Sequence, residues 1–244
     1  MNLLITAGNT LVPIDRVRCL TNIFSGRTGA AIARAAWERG HAVELLTSHP
    51  EVVNAPVDAR WSMSRYDTFD DLQRLMKERL VEYEWDGVVH CAAVGDYLAG
   101  GVYAPRAGTH FRSESGVWEC DDDSPPAMVD RSAGKVKSDE PELWLRLVRA
   151  PKLVDSIRRD WGFRGLLVKF KLEVGISDDR LLEIAERSRL HSAADLMVAN
   201  TLEGASQWAY LGPLAGQYVR IVRGELADRL VRTLEQHSRN ESHG

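Results

Sequence analysis

The chain has 244 residues, of which 31 are Lys or Arg and 35 are Asp or Glu, so its formal net charge is −4 at neutral pH. A content of 44% hydrophobic and 27% charged residues excludes global disorder. The slight acidic excess gives no electrostatic argument for binding nucleic acid or anionic lipid, and no apolar run approaches the roughly 20 residues of a membrane span. We therefore expect a soluble, cytoplasmic protein without nucleic-acid or membrane partners, in which Cys19, Cys91 and Cys120 stay reduced.

The first half of the chain alternates apolar strands with amphipathic helices. An apolar run meets Gly8 directly, which is typical of a buried parallel strand that ends where ligands commonly bind. Apolar residues three and four positions apart indicate one covered helix face after Thr68. The predicted elements are a strand at Leu3–Ile5, a helix at Thr28–Arg39, a strand at Ala42–Thr47, a helix at Phe69–Tyr83 and a strand at Gly87–Ala93.

The same alternation continues toward the C-terminus and then changes. We predict a strand at Gly165–Phe170, a helix at Asp178–Leu190, a strand at Asp195–Asn200, an antiparallel pair at Ala205–Leu211 and Gln217–Val222, and a closing helix at Glu225–His237. This order predicts an α/β fold: a doubly wound, mostly parallel, Rossmann-like sheet with helices on both faces and a C-terminal antiparallel β-hairpin.

One segment interrupts this pattern. The residues between Tyr97 and Lys137 are rich in Gly, Pro, Ser and Asp, show no sustained periodicity and form a stretch that is long for an ordinary loop. We therefore expect residues 1–244 to form a single domain with an irregular insert at about 98–133, which serves as a lid, an interface arm or a disordered segment.

The most informative constellation lies in the first 30 residues. Gly8 follows the first strand, and Ser25, Gly26 and Gly29 open the first helix, where exposed backbone N–H groups can bind phosphate. A simple glycine turn is the competing interpretation. A dinucleotide-binding reductase needs GxGxxG in one tight turn and an acid after the second strand, whereas Gly8 and Gly26 are far apart and the second strand ends in Thr47.

Further candidates follow later strands. AAVGDY places Ala92, Ala93 and Asp96 after the third strand, where small residues admit a base and a carboxylate accepts hydrogen bonds, although an Asx turn would have the same sequence. Lys135 in GKVKS could neutralise charge on a leaving pyrophosphate, or could simply be solvated. No histidine, cysteine or acidic spacing predicts a metal site, so metal ligands stay unassigned.

Several ordered blocks together resemble a known family. ITAGNT, PID and VRCLTNIFSGRTGAAIA are followed by AAVGDY, GKVKS, APKLVD, VKFKLE and DLMVANTLEG, and these blocks run from Leu3 to about Gly204. In this order they resemble phosphopantothenoylcysteine synthetase, an enzyme family of coenzyme A biosynthesis. Because no flavoprotein decarboxylase domain precedes Met1, we expect a monofunctional chain.

The resemblance implies a phosphopantothenate–cysteine ligase. A carboxylate of 4′-phosphopantothenate attacks the α-phosphate of ATP or CTP, releases pyrophosphate and forms an acyl nucleotidylate, which the cysteine amine then attacks. Mg²⁺ would accompany the nucleotide, and members of this family form a homodimer. The alternatives are an NAD(P)-dependent reductase of the Rossmann type and a catalytically silent nucleotide-binding homologue.

The resemblance also implies residue roles. Asn22 would hydrogen-bond the activated acyl phosphate and Lys135 would assist at the phosphates. The remaining phosphate-pocket residues would be Gly8, Thr10, Ser25, Gly26 and Gly29. The base and ribose end would be held by Ala92, Ala93 and Asp96, Phe170 would lie against the base, and Asn200 would be a structural or pocket residue. Lys171, beside Phe170 at the end of a predicted inner strand, is a further candidate for nucleotide or substrate binding.

Two residues of the phosphate loop depart from the family pattern. Asn9 stands where the family opening usually has a second glycine, and Phe24 stands where many bacterial members have serine. Either residue could alter the loop, and both suggest the silent homologue.

Overall fold

The computed structural model describes residues 1–122 and 124–241. Its strands are β1 (Asn2–Ala7), β2 (Leu11–Pro13), β3 (Cys19–Thr21), β4 (Ala42–Thr47), β5 (Trp61–Arg65), β6 (Gly87–His90), β7 (Tyr97–Pro105), β8 (Thr109–Arg112), β9 (Val117–Cys120), β10 (Met128–Asp130), β11 (Trp144–Arg149), β12 (Leu166–Glu173), β13 (Leu196–Thr201), β14 (Trp208–Leu214) and β15 (Gln217–Val222). Its helices are α1 (Arg27–Glu38), α2 (Phe69–Glu82), α3 (Leu153–Arg159), α4 (Asp178–His191) and α5 (Leu226–Glu241), with short 3₁₀ turns at Pro50–Val52 and Arg223–Glu225.

The chain divides into two compact units. Unit 1 comprises residues 1–10, 22–94 and the described part of 152–244, whereas unit 2 comprises residues 11–21 and the described part of 95–151. The single-domain organisation of residues 1–244 stays a prediction.

Unit 1 is built on one large sheet. Its strand order is β15-β14-β13-β12-β6-β1-β4-β5, and the six strands from β13 to β5 are parallel, while β14 and β15 are antiparallel. The chain runs outward from β1 through β4 to β5, then returns to the other side of β1 and continues through β6, β12 and β13. The sequence-based prediction of a doubly wound, mostly parallel sheet with a C-terminal hairpin is confirmed.

Helices cover both faces of this sheet. Apolar residues of α1 and α5 join one buried cluster with alternate residues of the central strands, such as Leu3 and Ile5 of β1. The intervening positions of β13, Met197 and Ala199, pack against α4 on the opposite face. This division follows from the period of two along each strand, because adjacent side chains point to opposite faces.

Lys169 is the charged residue that interrupts the apolar run of β12. Its Nζ donates to the Ser188 carbonyl at 3.1 Å and to the Ser192 hydroxyl at 2.6 Å, both at the end of α4. Ser192 in turn donates to Asp155 Oδ1 at 2.6 Å. The ammonium therefore keeps hydrogen-bond partners at a half-buried position, as a charge removed from water requires.

An ion cluster fastens α5 to the end of α1. The carboxylate of Glu235 accepts from Arg39 Nε at 2.9 Å and Nη2 at 2.7 Å, and from His41 Nε2 at 2.9 Å. Hydrogen bonding to Arg39 is the main reason why the pKa of Glu235 is lowered to about 2. The carboxylate is stabilised in the folded state, so Glu235 contributes to stability above its unfolded pKa of about 4.3 and loses that contribution as the pH falls toward 2.

We expect Glu235→Gln to lower the free energy of unfolding by on the order of 1–3 kcal/mol at pH 7, because only 16% of the Glu235 side chain is exposed. Urea unfolding at stepped pH measures the effect, and the difference from wild type should shrink as the pH falls below about 4.3. Glu38→Gln, in the exposed Arg34–Glu38 pair, is the matched control and should change stability by about 0.5 kcal/mol or less. A difference that is constant with pH would contradict this assignment.

Unit 2 is made of short antiparallel strands. Its three-stranded sheet has the order β10-β7-β11, and β2–β3 and β8–β9 form two hairpins. Phe111, Trp118 and Trp144 form an aromatic cluster with ring centroids 4.7–5.2 Å apart. The segment at about 98–133, which the sequence predicts to be an irregular insert, contains the strands β7 to β10. The strands β8, β9 and β10 have only three or four residues each, and the longer β7 contains Gly100 and Gly101, so no sustained alternation marks them in the sequence.

Asp15 connects the two pieces of unit 2. Its carboxylate accepts from the main-chain N–H groups of Val17 and Arg18, from the Arg18 guanidinium at 2.7 Å and from the main-chain N–H of Val136 at 3.1 Å. Hydrogen bonding to Arg18 is the main reason why its pKa is held well below the usual range for Asp. The PID block of the family resemblance thus joins the β2–β3 hairpin to the segment that contains Lys135.

Candidate active site

The candidate site of unit 1 lies at the carboxyl ends of β1 and β6. These neighbouring strands are the point at which the strand order reverses, since β1 leads outward to β4 and β6 leads outward to β12. Ligands of open α/β sheets bind in the crevice outside such a switch point. Gly8 follows β1 and Ala92 and Ala93 follow β6, so the two predicted blocks meet at one place.

Two glycines let the start of α1 approach the end of β1. Gly8 has φ +93° and Gly26 has φ +79°, both in the left-handed region that favours glycine. A Cβ on Gly26 would lie 2.8 Å from Cα of Gly8 and against its main-chain N. Gly8 and Gly26 are thus far apart in the sequence, but their backbones are in direct contact in the fold.

Gly29 fixes the packing of α1 on β1. A Cβ at this position would lie 2.6 Å from Cβ of Ala7 and 3.0 Å from the Thr6 carbonyl. Only a glycine lets the first turn of the helix lie this close to the strand. Gly29 is therefore needed for the close packing of α1 on β1, in addition to the phosphate contact predicted for it.

The start of α1 is suited to an anion. Gly26 caps the helix without a side-chain hydrogen bond, and the first turn contains no acidic residue. Main-chain N–H groups at such a helix start carry a partial positive charge. Ser25 is half-buried beside them, so the structure brings Gly8, Ser25, Gly26 and Gly29 together as predicted.

Asn22 is the exposed side chain of this site. Its Nδ2 donates to the Ala93 carbonyl at 3.0 Å, and its own carbonyl accepts from Asn9 Nδ2 at 2.5 Å. The Ala93 N–H donates to the Gly8 carbonyl at 2.8 Å. The loop before α1 and the loop after β6 are thus joined at Asn22 and Ala93.

A buried polar pair supports the loop after β6. Thr6 Oγ1 lies 3.0 Å from His90 Nδ1 and accepts from the Ala92 N–H at 3.1 Å. Burial, reinforced by the positive charge of Lys169, lowers the pKa of His90 to about 4. His90 is therefore neutral near pH 7 and acts here as a hydrogen-bonding group.

Cys91 and Arg223 lie beside the start of α1. Burial raises the pKa of the Cys91 thiol to about 12, although the Arg223 guanidinium and the Gly29 N–H act in the opposite direction. Arg223 Nη2 donates to Thr28 Oγ1. A cleft of about 180 Å³ opens here, lined by Arg27, Thr28, Ala31, Ile32, Arg223, Leu226 and Ala227.

The predicted nucleotide-binding and pocket residues of β12 and β13 lie on two opposite faces of the sheet. Phe170 packs against the cluster formed by α1 and α5, and the alternation along β12 and β13 places Asn200 on that same face. Lys171 lies on the opposite face, where its Nζ pairs with Glu173 at 2.8 Å. The structure thus brings Phe170 and Asn200 to the α1 side and leaves Lys171 on the other side.

The remaining predicted site residues are Thr10, Asp96 and Lys135. Thr10 is fully buried, so a direct ligand contact stays a prediction. Asp96 is exposed and its carbonyl accepts from the Ala150 N–H at 2.9 Å within unit 2. Lys135 lines a cleft of about 580 Å³ in unit 2, together with Val17, Arg18, Val136, Lys137, Ser138 and Asp139. The catalytic role of Lys135 and the ribose contact of Asp96 stay predictions.

Sequence reasoning missed four residues at these places. Ser48 and His49 contact Asn9, Arg223 contacts the start of α1, and Asp15 anchors the loop before Arg18. Arg223 is 195 positions from Thr28, and no periodic pattern marks such a contact. Asp15 carried a signal, since PID belongs to the matched blocks.

Neither a metal cluster nor a membrane-spanning helix is found in the described residues. No group of three or more His, Cys, Asp or Glu there could hold a metal ion. No helix in residues 1–122 and 124–241 is both long and apolar enough to cross a bilayer.

Comparison with known proteins shows what this chain is similar to. Residues 1–106 match the DNA/pantothenate metabolism flavoprotein C-terminal domain. The coenzyme A biosynthesis bifunctional protein CoaBC of Thermococcus kodakarensis is 28% identical over 241 residues, which cover 96% of this chain and 50% of that protein. The chain thus spans about half the length of the curated relatives it matches, or 42% for the Escherichia coli protein.

Solved structures share the fold. The DNA/pantothenate metabolism flavoprotein of Streptococcus pneumoniae superposes with a TM-score of 0.78 at 25% identity, covering 97% of this chain and 99% of that one. A Cab2 variant in complex with phosphopantothenate-cysteine superposes with a TM-score of 0.67 at 14% identity, covering 98% of this chain and 86% of that one. These matches confirm that the chain resembles phosphopantothenoylcysteine synthetase and the DNA/pantothenate metabolism flavoprotein family.

Proposed function

We propose that this chain is a phosphopantothenate–cysteine ligase of coenzyme A biosynthesis. Its substrates are 4′-phosphopantothenate, cysteine and ATP or CTP. The observation that carries the proposal is Asn22, which is exposed and held between Ala93 and Asn9 beside a glycine-lined helix start. The relatives support it: CoaBC is a coenzyme A biosynthesis protein, and a Cab2 variant was solved in complex with phosphopantothenate-cysteine.

The first step of the proposed reaction forms a mixed anhydride. A carboxylate oxygen of 4′-phosphopantothenate bonds to the α-phosphorus, and the bond to the β-phosphate oxygen breaks, so pyrophosphate leaves with its electron pair. The N–H groups at the start of α1 bind phosphate oxygens, where negative charge accumulates. The Asn22 amide donates a hydrogen bond to the acyl phosphate.

The second step forms the amide. The cysteine amine attacks the acyl carbon, the acyl–oxygen bond breaks, and the nucleoside monophosphate leaves with one former carboxylate oxygen. The amine loses its proton to solvent. The protein contributes positioning and charge stabilisation, which agrees with a site built from glycines, backbone amides and one asparagine.

The remaining details of the proposal concern the nucleotide and the assembly. Phe170 lies against the base, and Ala92 and Ala93 admit it. Mg²⁺ would be held by the phosphate oxygens of the nucleotide, which are its preferred partners. The enzyme is a homodimer and works in the cytoplasm, where its three unpaired thiols remain reduced.

An isotope experiment tests both steps. The purified protein is incubated with ATP or CTP, Mg²⁺, cysteine and 4′-phosphopantothenate carrying ¹⁸O in its carboxylate. We expect pyrophosphate release that depends on 4′-phosphopantothenate and one ¹⁸O atom in the nucleoside monophosphate, as measured by mass spectrometry. Comparing the two nucleotides identifies the preferred one.

Other products would overturn the proposal. Release of orthophosphate with a nucleoside diphosphate would show attack at the γ-phosphate. Nucleotide binding in calorimetry without turnover would identify a silent homologue. A change in nicotinamide absorbance with bound NAD(P) would identify a reductase.

A further inference from the structure

Asn9 is a buried amide whose side-chain oxygen and nitrogen are both hydrogen-bonded. The residue is 6% exposed. Its Oδ1 accepts from Ser48 Oγ at 3.1 Å and lies 3.2 Å from His49 Nε2, a contact in which the amide oxygen can act only as the acceptor. Its Nδ2 donates to the Asn22 carbonyl at 2.5 Å. The donors and acceptors around it thus determine the orientation of the amide.

Ser48 forms hydrogen bonds with both the main chain and the side chain of Asn9. Its hydroxyl accepts from the Asn9 main-chain N–H at 2.9 Å and donates to the Asn9 side chain. Ser48 follows β4, a strand paired with β1 along its whole length. The rigid edge of the sheet, rather than the loop, therefore determines where the Asn9 amide points.

Asn22 is held at two atoms by this arrangement. Its carbonyl is bound by Asn9, and its Nδ2 is bound by the carbonyl of Ala93. Ala93 itself pairs with Asn9 in a parallel bridge. Because residues 11–21 belong to unit 2, Asn22 is the first residue of unit 1 after that segment, and these bonds fix its position at the β1 edge.

We infer that Asn9 is a positioning residue, which orients Asn22 toward the reacting acyl phosphate and is itself oriented by Ser48 and His49. This inference rests on the proposed function, since Asn22 is the group that would contact the substrate. A glycine at position 9 has no side chain to bind the Asn22 carbonyl. Asn9, which departs from the family opening, therefore contributes to the geometry of this site and does not indicate lost turnover.

The test is a double-mutant cycle on pyrophosphate release. Asn9→Gly should lower kcat at least 10-fold and leave the KM for nucleotide within twofold, because the phosphate loop keeps its glycines. In an Asn22→Ala background, which retains a low measurable rate, the same change should cost less than twofold, since there is no longer an amide to orient. Ser48→Ala should give an intermediate loss in kcat.

Additive losses in the two backgrounds would overturn the inference, and so would Asn9→Gly with kcat within twofold of wild type. A second measurement is independent of catalysis. In ¹⁵N-labelled protein, the Asn22 backbone order parameter should fall from about 0.85 to below about 0.6 in Asn9→Gly, while Asn54, an exposed residue of unit 1, keeps its value. If wild type releases no pyrophosphate, the proposed function fails, and this measurement alone decides whether Asn9 holds Asn22.

Discussion

Asn22→Asp is expected to abolish ligation while the chain still folds. The substitution replaces Nδ2, which donates to the Ala93 carbonyl, by an oxygen that repels that carbonyl. It also puts a negative charge beside bound phosphates. Removing one donor to a developing anion costs on the order of 10²–10³ in kcat, and the added charge should increase the loss. Pyrophosphate release measures the loss, and circular dichroism checks the fold.

Asn54→Asp is the matched control for Asn22→Asp. Asn54 is exposed, and it is its main-chain carbonyl that accepts from Arg34, so the same chemical change leaves that contact intact. Its rate should stay within twofold of wild type. If Asn22→Asp retained a rate close to that of this control, Asn22 would have no role in the chemistry.

Gly26→Ala is expected to destabilise unit 1 strongly and to weaken nucleotide binding. The new Cβ would meet the main chain of Gly8, with 2.8 Å to its Cα, at a residue with φ +79°. Left-handed backbone costs about 1–2 kcal/mol for a non-glycine residue, and overpacking adds about 1–3 kcal/mol. We expect urea unfolding to show a loss of roughly 2–5 kcal/mol, and calorimetry to show nucleotide affinity at least 10-fold weaker.

Gly216→Ala separates the two causes of this loss. Gly216 has φ +83°, but a Cβ there meets nothing within 4 Å. This variant should lose only about 1–2 kcal/mol and should keep its nucleotide affinity. Equal losses in both variants would show that backbone conformation alone matters, and that close approach of Gly26 to Gly8 contributes nothing.

The parallel core of unit 1 could be predicted because its strands are buried on both faces. Such strands are short apolar runs between helices of clear period, and their order fixed the fold class. Boundaries were less accurate where polar residues continue a strand: β12 reaches Glu173, beyond the predicted end at Phe170, because residues 171–173 continue the parallel pairing with β13. The exposed strand β5 and the short helix α3 were missed, since neither has a long apolar pattern.

The candidate site was predictable only as far as its motifs are local. Glycines before a helix and small residues after a strand are visible in the sequence, so Gly8, Gly26 and Ala93 were found. Asn9 was noted as a departure from the family, but its bonds to Ser48 and Asn22 depend on which strands become neighbours. The faces of Phe170 and Lys171 follow from strand alternation, which the run KFKLE already contained.

The bond between Asp15 and Val136 has a consequence for synthesis on the ribosome. These residues are 121 positions apart, and at about 5–20 residues per second the partner emerges roughly 6–24 s after Asp15. During that interval the nascent β2–β3 hairpin lacks the bond to Val136. Its apolar residues Val17 and Leu20 are exposed even in the folded protein. The nascent chain therefore passes through a stage in which this hairpin is unanchored and its apolar side chains are exposed, and the duration of this stage depends on the speed of translation.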